Sequence, residues 1–188
     1  MDSEKLGQSR LLNLLLKPAG AAMESKLRNR LTDPERILRG AGIRPGQTVL
    51  EVGSGTGFFT IPAARLIGEQ GRLVAMDTMS AYVERLTQKV QYEGLGNVQV
   101  TRRDALETGL KTASMDKVLL FGVIPFPSLP LKRLLPEMYR VLKPEGTMAV
   151  WLFPVAGFVP RLILRSGLFE FLEKKNGVYN YGPSTADQ

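Results

Sequence analysis

The stretch VLEVGSGTGFFT, residues 49–60, decides the fold of this chain. An apolar run leads into Glu51, and three glycines then follow at alternate positions, Gly53, Gly55 and Gly57. Glycine readily takes left-handed backbone angles and lets a ligand approach the main chain closely, so the stretch predicts a strand that turns sharply into a helix. The first amides of that helix would point unpaired N–H groups at the ligand. We therefore predict a nucleotide-type site.

The composition narrows the chemistry that such a site can carry out. The chain has 188 residues, of which 44% are hydrophobic and 23% charged, which suits one domain with a full core. It contains no cysteine, which excludes disulfides and thiolate chemistry. It also contains no histidine, the usual general base and the commonest metal ligand. Zinc hydrolases and Ser-His-Asp enzymes are therefore excluded, and no metal is expected.

The basic charge raises the question of an acidic partner. The formal net charge is +7 and the isoelectric point is near 9.8, which would suit RNA or anionic lipid. However, the densest basic group, over 26–44, is interleaved with Glu24, Asp33 and Glu35 and has no alternating aromatic residues for base stacking. The pattern favours a solvated surface, so nucleic acid is a possible partner but not the favoured one.

The chain shows no targeting signal. Asp2 and Glu4 precede the first apolar residues, which argues against a signal peptide. The longest apolar stretch, 148–160, is interrupted by Pro154 and Gly157 and is too short to span a bilayer. We expect a cytoplasmic protein without a transmembrane segment.

Strand and helix patterns alternate along most of the chain, which predicts a parallel α/β sheet with right-handed crossovers. Near the C-terminus an Asn-Gly turn separates two aromatic-rich runs and predicts an antiparallel hairpin. The predicted fold is α/β, Rossmann-like and doubly wound, with a mostly parallel seven-stranded sheet that ends in this hairpin. The predicted strands are 48–52, 72–76, 98–101, 117–121, 147–153, 168–174 and 178–181. The predicted helices are 4–17, 33–40, 57–67, 80–93, 130–142 and 158–166.

Three acidic residues follow neighbouring strands of this sheet. Glu51, Asp77 and Asp104 should lie along the carboxyl edge, where ligands bind in open α/β sheets. Asp77 is placed to accept hydrogen bonds from a ribose diol, Asp104 to accept one from an adenine amine, and Glu51 to complement a cationic ligand. A dinucleotide-binding fold would have a third glycine at Phe58. An NAD-dependent oxidoreductase is therefore kept only as an alternative.

Five segments together resemble the class I S-adenosylmethionine-dependent methyltransferases, and the small quinone-biosynthesis-like members most closely. They are VLEVGSGTGFFT at 49–60, AMDTMS at 75–80, RRDA at 102–105, MDKVLLFGVIPF at 115–126 and RVLKPEGTMAV at 140–150. The resemblance covers about residues 33–182. It implies a methyltransferase domain over 32–188, preceded by a helical lid or extension over 1–31.

The resemblance also implies a cofactor, S-adenosylmethionine, with S-adenosylhomocysteine as the product. Its methionine part would lie on Gly53, Gly55 and Gly57, with Glu51 near the ammonium group. Asp77 would hold the ribose and Asp104 the adenine amine. The rest of the implied set is Ser54, Thr78, Met79 packing on adenine, Ala105 through its backbone, and Phe121 and Gly122 at the methionine part. No catalytic base is assigned.

The acceptor is predicted from the segment after the fourth strand. Methyltransferases of planar amines often carry Asn/Asp-Pro-Pro-Tyr there, whereas this chain reads FGVIPF over 121–126. The implied lining is apolar and comprises Phe121, Ile124, Phe126, Trp151 and Phe153. We therefore expect methyl transfer to a small or lipid-like apolar acceptor by in-line displacement. An RNA-directed methyltransferase and a basic RNA-binding module remain alternatives.

Overall fold

The computed structural model describes residues 32–125, 129–152 and 157–184. The predicted helix over 4–17, and the lid or extension over 1–31, lie outside these residues. The described helices are α1 (Pro34–Gly40), α2 (Thr60–Ile67), α3 (Ser80–Tyr92), α4 (Leu131–Val141) and α5 (Val159–Leu164). The strands are β1 (Thr48–Val52), β2 (Arg72–Asp77), β3 (Val98–Arg102), β4 (Met115–Phe121), β5 (Leu142–Trp151), β6 (Phe169–Lys175) and β7 (Val178–Pro183).

The seven strands form one sheet in the order β3-β2-β1-β4-β5-β7-β6. The pairs from β3 to β5 are parallel, and β7 is antiparallel to both β5 and β6. Asn176 and Gly177, both with positive φ, connect β6 to β7 as the Asn-Gly signal predicted. The structure thus confirms the predicted doubly wound sheet and its C-terminal hairpin.

The strand order reverses direction at β1. The chain moves outward from β1 through β2 to β3 and then returns to place β4 on the other side of β1. Ligands of open α/β sheets bind in the crevice outside the carboxyl ends of the strands at such a switch point. The glycine turn follows β1 directly, so the fold puts this turn at the mouth of the crevice.

The core has a layer on each face of the sheet, so β4 is buried on both sides. Val118 and Leu120 point into the cluster under α4 and α5, while Leu119 and Phe121 point into the cluster under α1 and α2. Alternate side chains of a strand lie on opposite faces, and a strand buried on both faces needs an uninterrupted apolar run. The sequence predicted this run correctly.

Two predicted boundaries differ clearly from the structure. The helix predicted from residue 57 begins at Thr60, because Gly57 has φ of 90° and still belongs to the turn. The fifth strand, predicted over 147–153, runs from Leu142 to Trp151 and includes the Lys-Pro-Glu-Gly segment that the sequence had predicted as a turn. Leu142 pairs with Met115, across an irregularity in register before Lys117. Tertiary pairing outweighs the local turn preference here.

Candidate functional site at the carboxyl edge

The turn after β1 is built from left-handed glycines. Gly53, Gly55 and Gly57 have φ of 70°, 53° and 90°. The amides of Gly53 and Ser54 both donate to the carbonyl of Met76, at 2.8 and 3.0 Å, and so fasten the turn to the end of β2. The predicted strand–turn–helix is therefore present, with its backbone in conformations that glycine adopts without strain.

Two of these glycines also serve the packing of the chain itself. A Cβ at Gly53 would lie 2.3 Å from Cγ1 of Val123, in the loop after β4, and one at Gly57 would lie 2.5 Å from Cδ1 of Leu86 on α3. Such distances are far inside van der Waals contact. The glycine pattern therefore has a packing cause in addition to any ligand, and Val123 is a neighbour of the site that sequence reasoning missed.

Asp77 connects the glycine turn to the start of α3. Its Oδ2 accepts from the amide of Gly55 at 2.9 Å, and its Oδ1 accepts from the amide of Met79 at 2.9 Å. Burial raises the pKa of Asp77 above its ordinary value, while hydrogen bonds from Met79, Gly55 and Thr78 act in the lowering direction. The carboxylate thus orders the turn, a role that the sequence did not indicate.

Glu51 lies beneath the turn and is only 3% exposed. Its Oε2 accepts a hydrogen bond from Oγ1 of Thr60 at 2.6 Å. Burial raises the pKa of Glu51 to about 8, the Thr60 hydrogen bond lowers it, and the charge of Asp77 raises it. Thr60 was absent from the predicted site, although a hydroxyl one turn beyond the last glycine could have been noticed.

Ser54 is the polar side chain of the turn that lacks a partner. It is 5% exposed, and its Oγ has no hydrogen-bond partner within the parts of the chain that the structure describes. Burying a hydroxyl without a hydrogen bond costs free energy, so natural structures keep such groups rarely and often near ligands. The turn therefore offers a buried hydroxyl without a partner among the described residues, while the amides of Gly53, Ser54, Gly55 and Gly57 all donate within the chain.

The segment after β3 brings Asp104 to the same edge. The amide of Arg103 donates to the carbonyl of Asp77 at 3.1 Å, and the amide of Leu106 donates to Oδ1 of Asp104 at 2.9 Å. Ala105 is 4% exposed and packs into the core. Asp77 and Asp104 therefore follow adjacent strands, as predicted.

Thr78 and Met79 lie between β2 and α3 and are half-buried. The carbonyl of Thr78 accepts from Nε of Arg102 at 3.1 Å, which connects this segment to β3. Tyr82, in the first turn of α3, lies near Asp77. Burial, and then the charge of Asp77, raise the pKa of the Tyr82 hydroxyl. Sequence reasoning missed Tyr82, since its proximity to Asp77 depends on how the helix packs.

The predicted apolar lining is not assembled as expected. Phe121 is 7% exposed and meets the ring of Phe59 edge-on at 4.9 Å, and Phe59 lies 6.0 Å from Trp151. Ile124 is fully buried in the other core layer. Phe121 and Ile124 therefore stabilise opposite faces of the sheet, which corrects the prediction that they share one lining. Phe126 and Phe153 lie outside the described residues. Gly122 donates its amide to the carbonyl of Trp151 at 2.9 Å.

An apolar cavity of about 750 Å³ begins at the loop after β4. Its walls come from that loop, from the start of α4 and from the segment around α5, and include Pro125, Leu135, Leu162 and Leu168. Lys132 and Arg165 also line it, and no acidic residue of the described chain does. Gly122 and Pro125 belong to one short loop, so this apolar cavity starts three residues from the predicted cofactor site.

Within the described residues no helix has the length and hydropathy needed to cross a membrane.

Comparison with known proteins identifies the domain family. The methyltransferase domain family model matches residues 49–146, just over half of the chain. The chain is 33% identical over 112 residues to the ubiquinone/menaquinone biosynthesis C-methyltransferase UbiE of Klebsiella pneumoniae, which covers 58% of this chain and 44% of that protein. The Haemophilus ducreyi protein of the same name is 33% identical over 122 residues, covering 64% and 46%. The match thus spans less than half the length of these relatives.

Solved structures agree on the fold. An S-adenosylmethionine-dependent methyltransferase from Aquifex aeolicus superposes with a TM-score of 0.72 at 24% identity, covering 88% of this chain and 96% of that one. One from Methanococcus maripaludis, described as putative in its own name, gives 0.71 at 16% identity, covering 92% and 94%. At these identities the likeness concerns the fold alone. Together with the family match, it shows that this chain belongs to the methyltransferase domain family.

Proposed function

We propose that the carboxyl edge of this chain binds S-adenosylmethionine and presents it to a small, apolar, lipid-like methyl acceptor. The observation that carries the proposal is the set of carboxyl groups around the glycine turn. Glu51 lies beneath the turn, Asp77 accepts from the turn amide of Gly55, and Asp104 follows the neighbouring strand. A cationic nucleoside without phosphates requires acidic partners of this kind.

The ribose assignment is compatible with the hydrogen bonds of Asp77. A carboxylate offers about four lone-pair directions, and the backbone amides of Gly55, Met79 and Thr78 use three of them. One acceptor direction therefore remains for a diol hydroxyl. Asp104 would take the adenine amine in the same way, with Met79 against the ring and Ala105 contributing its backbone.

The methionine assignment is supported by Ser54 and Glu51. The buried hydroxyl of Ser54 would gain a partner from a carboxylate or ammonium group lying on Gly53, Gly55 and Gly57. Glu51 would provide the negative charge for the ammonium group. Because its pKa is about 8 without ligand, binding a cation would favour release of its proton.

The chain would act mainly by positioning and by excluding water. When bound, S-adenosylmethionine supplies an already activated sulfonium methyl group. Phe59, Phe121 and Trp151 form an apolar layer beside the end of β4, which would keep water from that region. The glycine turn and Asp77 would hold the donor in a fixed orientation for in-line attack.

The apolar acceptor is supported by the apolar cavity. Its walls are leucines and prolines, and its two charged lining residues, Lys132 and Arg165, are long cations able to reach an electron-rich or anionic group. The curated relatives are named for C-methylation in ubiquinone and menaquinone biosynthesis. A quinone-like, apolar acceptor is therefore the class we propose.

Native mass spectrometry of the freshly purified protein tests the cofactor. We expect co-purified S-adenosylmethionine or S-adenosylhomocysteine in the wild type, and less of either in Asp77→Asn. Asp33→Asn removes an equal charge at the cap of α1, outside the site, and should retain the cofactor. Co-purified NAD in place of both compounds would contradict the proposal.

The acceptor is tested by transfer of labelled methyl groups to organic-extractable compounds. Leu162→Glu places a charge in the apolar cavity at a side chain that is already 39% exposed, so folding should survive. We expect lower transfer with unchanged cofactor binding. Tyr92→Glu, at a site 90% exposed on α3, is the matched control. Label that enters RNA, or equal transfer by both variants, would contradict the apolar acceptor.

A further inference from the structure

A second cavity lies at the opposite edge of the sheet, at the amino ends of the parallel strands. Its volume is about 470 Å³. Lys117 of β4, Thr147 of β5 and Asn180 of β7 contribute to its wall, and the loop over 41–47 after α1 contributes the rest. We call it the Lys117 cavity. It is separate from the glycine turn, which follows the carboxyl end of β1.

Lys117 brings to this cavity a buried ammonium group that forms no ion pair with a described residue. The residue is 4% exposed, and its Nζ donates to Oγ1 of Thr147. An ammonium group has three donors, so two remain unused. No carboxylate of the described chain forms an ion pair with it, although buried charges in proteins are usually paired. The position therefore favours an anion from outside the chain.

Asn180 brings an unused acceptor to the same cavity. It is 5% exposed, and its Nδ2 donates to the carbonyl of Gly40 at 2.9 Å, which fixes the orientation of the amide. Its Oδ1 has no hydrogen-bond partner among the described residues. A ligand that satisfies both side chains must offer a negative group to Lys117 and a donor to Asn180.

The charges around the cavity limit the ligand to a single negative charge. Arg44, Glu145 and Glu173 are exposed residues in its wall, so together with Lys117 the wall carries two cations and two glutamates. Asp116 is also in the wall, but Nζ of Lys143 lies 2.6 Å from its Oδ1 and compensates it. A dianion such as a phosphate monoester would be repelled by the two glutamates, whereas a monocarboxylate would not need more than Lys117.

We propose that the Lys117 cavity binds a small monocarboxylate that also carries a hydroxyl or amino group, with the carboxylate on Lys117 and the donor on Asn180. The volume of about 470 Å³ admits such a molecule with room for water. The site does not depend on the proposed methyl transfer, because it shares no residue with the glycine turn or the apolar cavity.

The charge state of Lys117 gives a direct readout. The pKa of Lys117 is lowered to about 8, chiefly by burial and then by the charge of Arg44, while the charge of Glu173 acts in the raising direction. A bound carboxylate favours the protonated amine, so it must raise this pKa. The shift can be followed in the wild-type protein by NMR of lysine labelled at Cε, with no substitution required.

The experiment titrates the full chain with glycolate and glycine, and with acetate as the probe that lacks the donor. We expect saturable binding of glycolate or glycine, a pKa of Lys117 raised by about one unit or more, and acetate binding about tenfold weaker. Amide shifts should concentrate at Gly40, Gly42 and Thr147. Glycine binding more tightly would assign the donor as an amino group, and glycolate as a hydroxyl.

Lys117→Met should abolish binding, and Lys111→Met, which removes an exposed cation outside the cavity, should leave it unchanged. The proposal is overturned if neither glycolate nor glycine binds up to millimolar concentrations, which would mean that water alone completes the site. It is equally overturned if acetate binds as well as both, or if inorganic phosphate binds more tightly.

Discussion

The half-buried Glu137 and the fully buried Glu51 have opposite electrostatic surroundings. Glu137 on α4 accepts from the amide and hydroxyl of Thr108, at 2.9 and 2.6 Å, and from Arg140 through both carboxylate oxygens, at 2.8 Å each. Glu51 beneath the glycine turn accepts from the hydroxyl of Thr60, its one hydrogen bond within the described chain. The chain supplies a full set of hydrogen-bond donors and a cation to the Glu137 carboxylate, which we call matched. It supplies only one hydroxyl to the Glu51 carboxylate, which we call unmatched.

The pKa directions follow from this difference. Burial raises the pKa of Glu137, but hydrogen bonds from Arg140 and Thr108 outweigh it and hold the pKa below its ordinary value. At Glu51, burial dominates and raises the pKa to about 8. A matched carboxylate stabilises the fold, whereas an unmatched one costs stability and is kept where a ligand can complete it. The contrast therefore separates structural acids from candidate functional ones.

The largest expected effect is a gain of stability on replacing Glu51. Because its folded pKa lies above the ordinary 4.5, the folded protein loses stability as pH rises from 4.5 to about 8. Glu51→Gln removes this loss while keeping a side-chain oxygen for Thr60. We expect the ligand-free variant to exceed the wild type by a few kcal/mol at pH 8 and by little near pH 4.5, in chemical unfolding. If the variant and the wild type were equally stable at both pH values, the pKa of Glu51 would not be raised by burial.

Asp77→Ala should weaken S-adenosylmethionine binding by about 1–3 kcal/mol, because ligand hydroxyls would lose their acceptor. That loss corresponds to roughly tenfold to a hundredfold in affinity. Isothermal titration measures it. Asp33→Ala, which removes the cap of α1, is the control that should leave affinity unchanged. An unaltered affinity in Asp77→Ala would show that Asp77 serves the turn and not the ribose.

Glu137→Gln should destabilise the fold by about 1–2 kcal/mol at neutral pH, since charge-assisted hydrogen bonds to Arg140 are weakened. The folded pKa of Glu137 is lowered, so its contribution is present above the ordinary 4.5 and is lost as pH falls below it. Unfolding curves should therefore converge in acid. Cofactor affinity should not change. If Glu137→Gln were more stable than the wild type, Glu137 would not differ from Glu51 in its effect on stability.

The smallest effect is expected at the exposed pair of Arg39 and Glu35 on α1. Their atoms lie 3.0 Å apart, but both side chains are more than half exposed. Arg39→Ala should change stability by less than about 0.5 kcal/mol, because solvent screens exposed pairs. Thermal unfolding at low and high salt measures this. A loss as large as that of Glu137→Gln would show that burial does not separate the two pairs.

The sequence was sufficient for features that depend on local pattern. The alternating glycines after β1, the position of Asp77 at the end of β2 and the Asn176-Gly177 turn all follow from backbone preferences and strand order. The glycines and Asp77 placed the candidate site. They also lie in segments that carried the resemblance, and the family match covers both.

Features that depend on tertiary packing were not predictable. The approach of Val123 to Gly53, and the burial of Lys117 within an apolar strand, arise between residues far apart in sequence. Phe121 and Ile124 were expected in one lining but lie in opposite core layers. Their separation depends on the path of the loop after β4, for which the sequence has no periodic signal.

A calorimetric titration of the wild-type protein with S-adenosylmethionine and with NAD, at several pH values up to 8, tests the proposed cofactor site. We predict one site for S-adenosylmethionine, no binding of NAD, and an affinity that rises with pH as Glu51 ionises, with protons released on binding. Glu51→Gln should bind more weakly and without this pH dependence. Binding of NAD alone, or an affinity for S-adenosylmethionine that falls as pH rises toward 8, would contradict the proposed site.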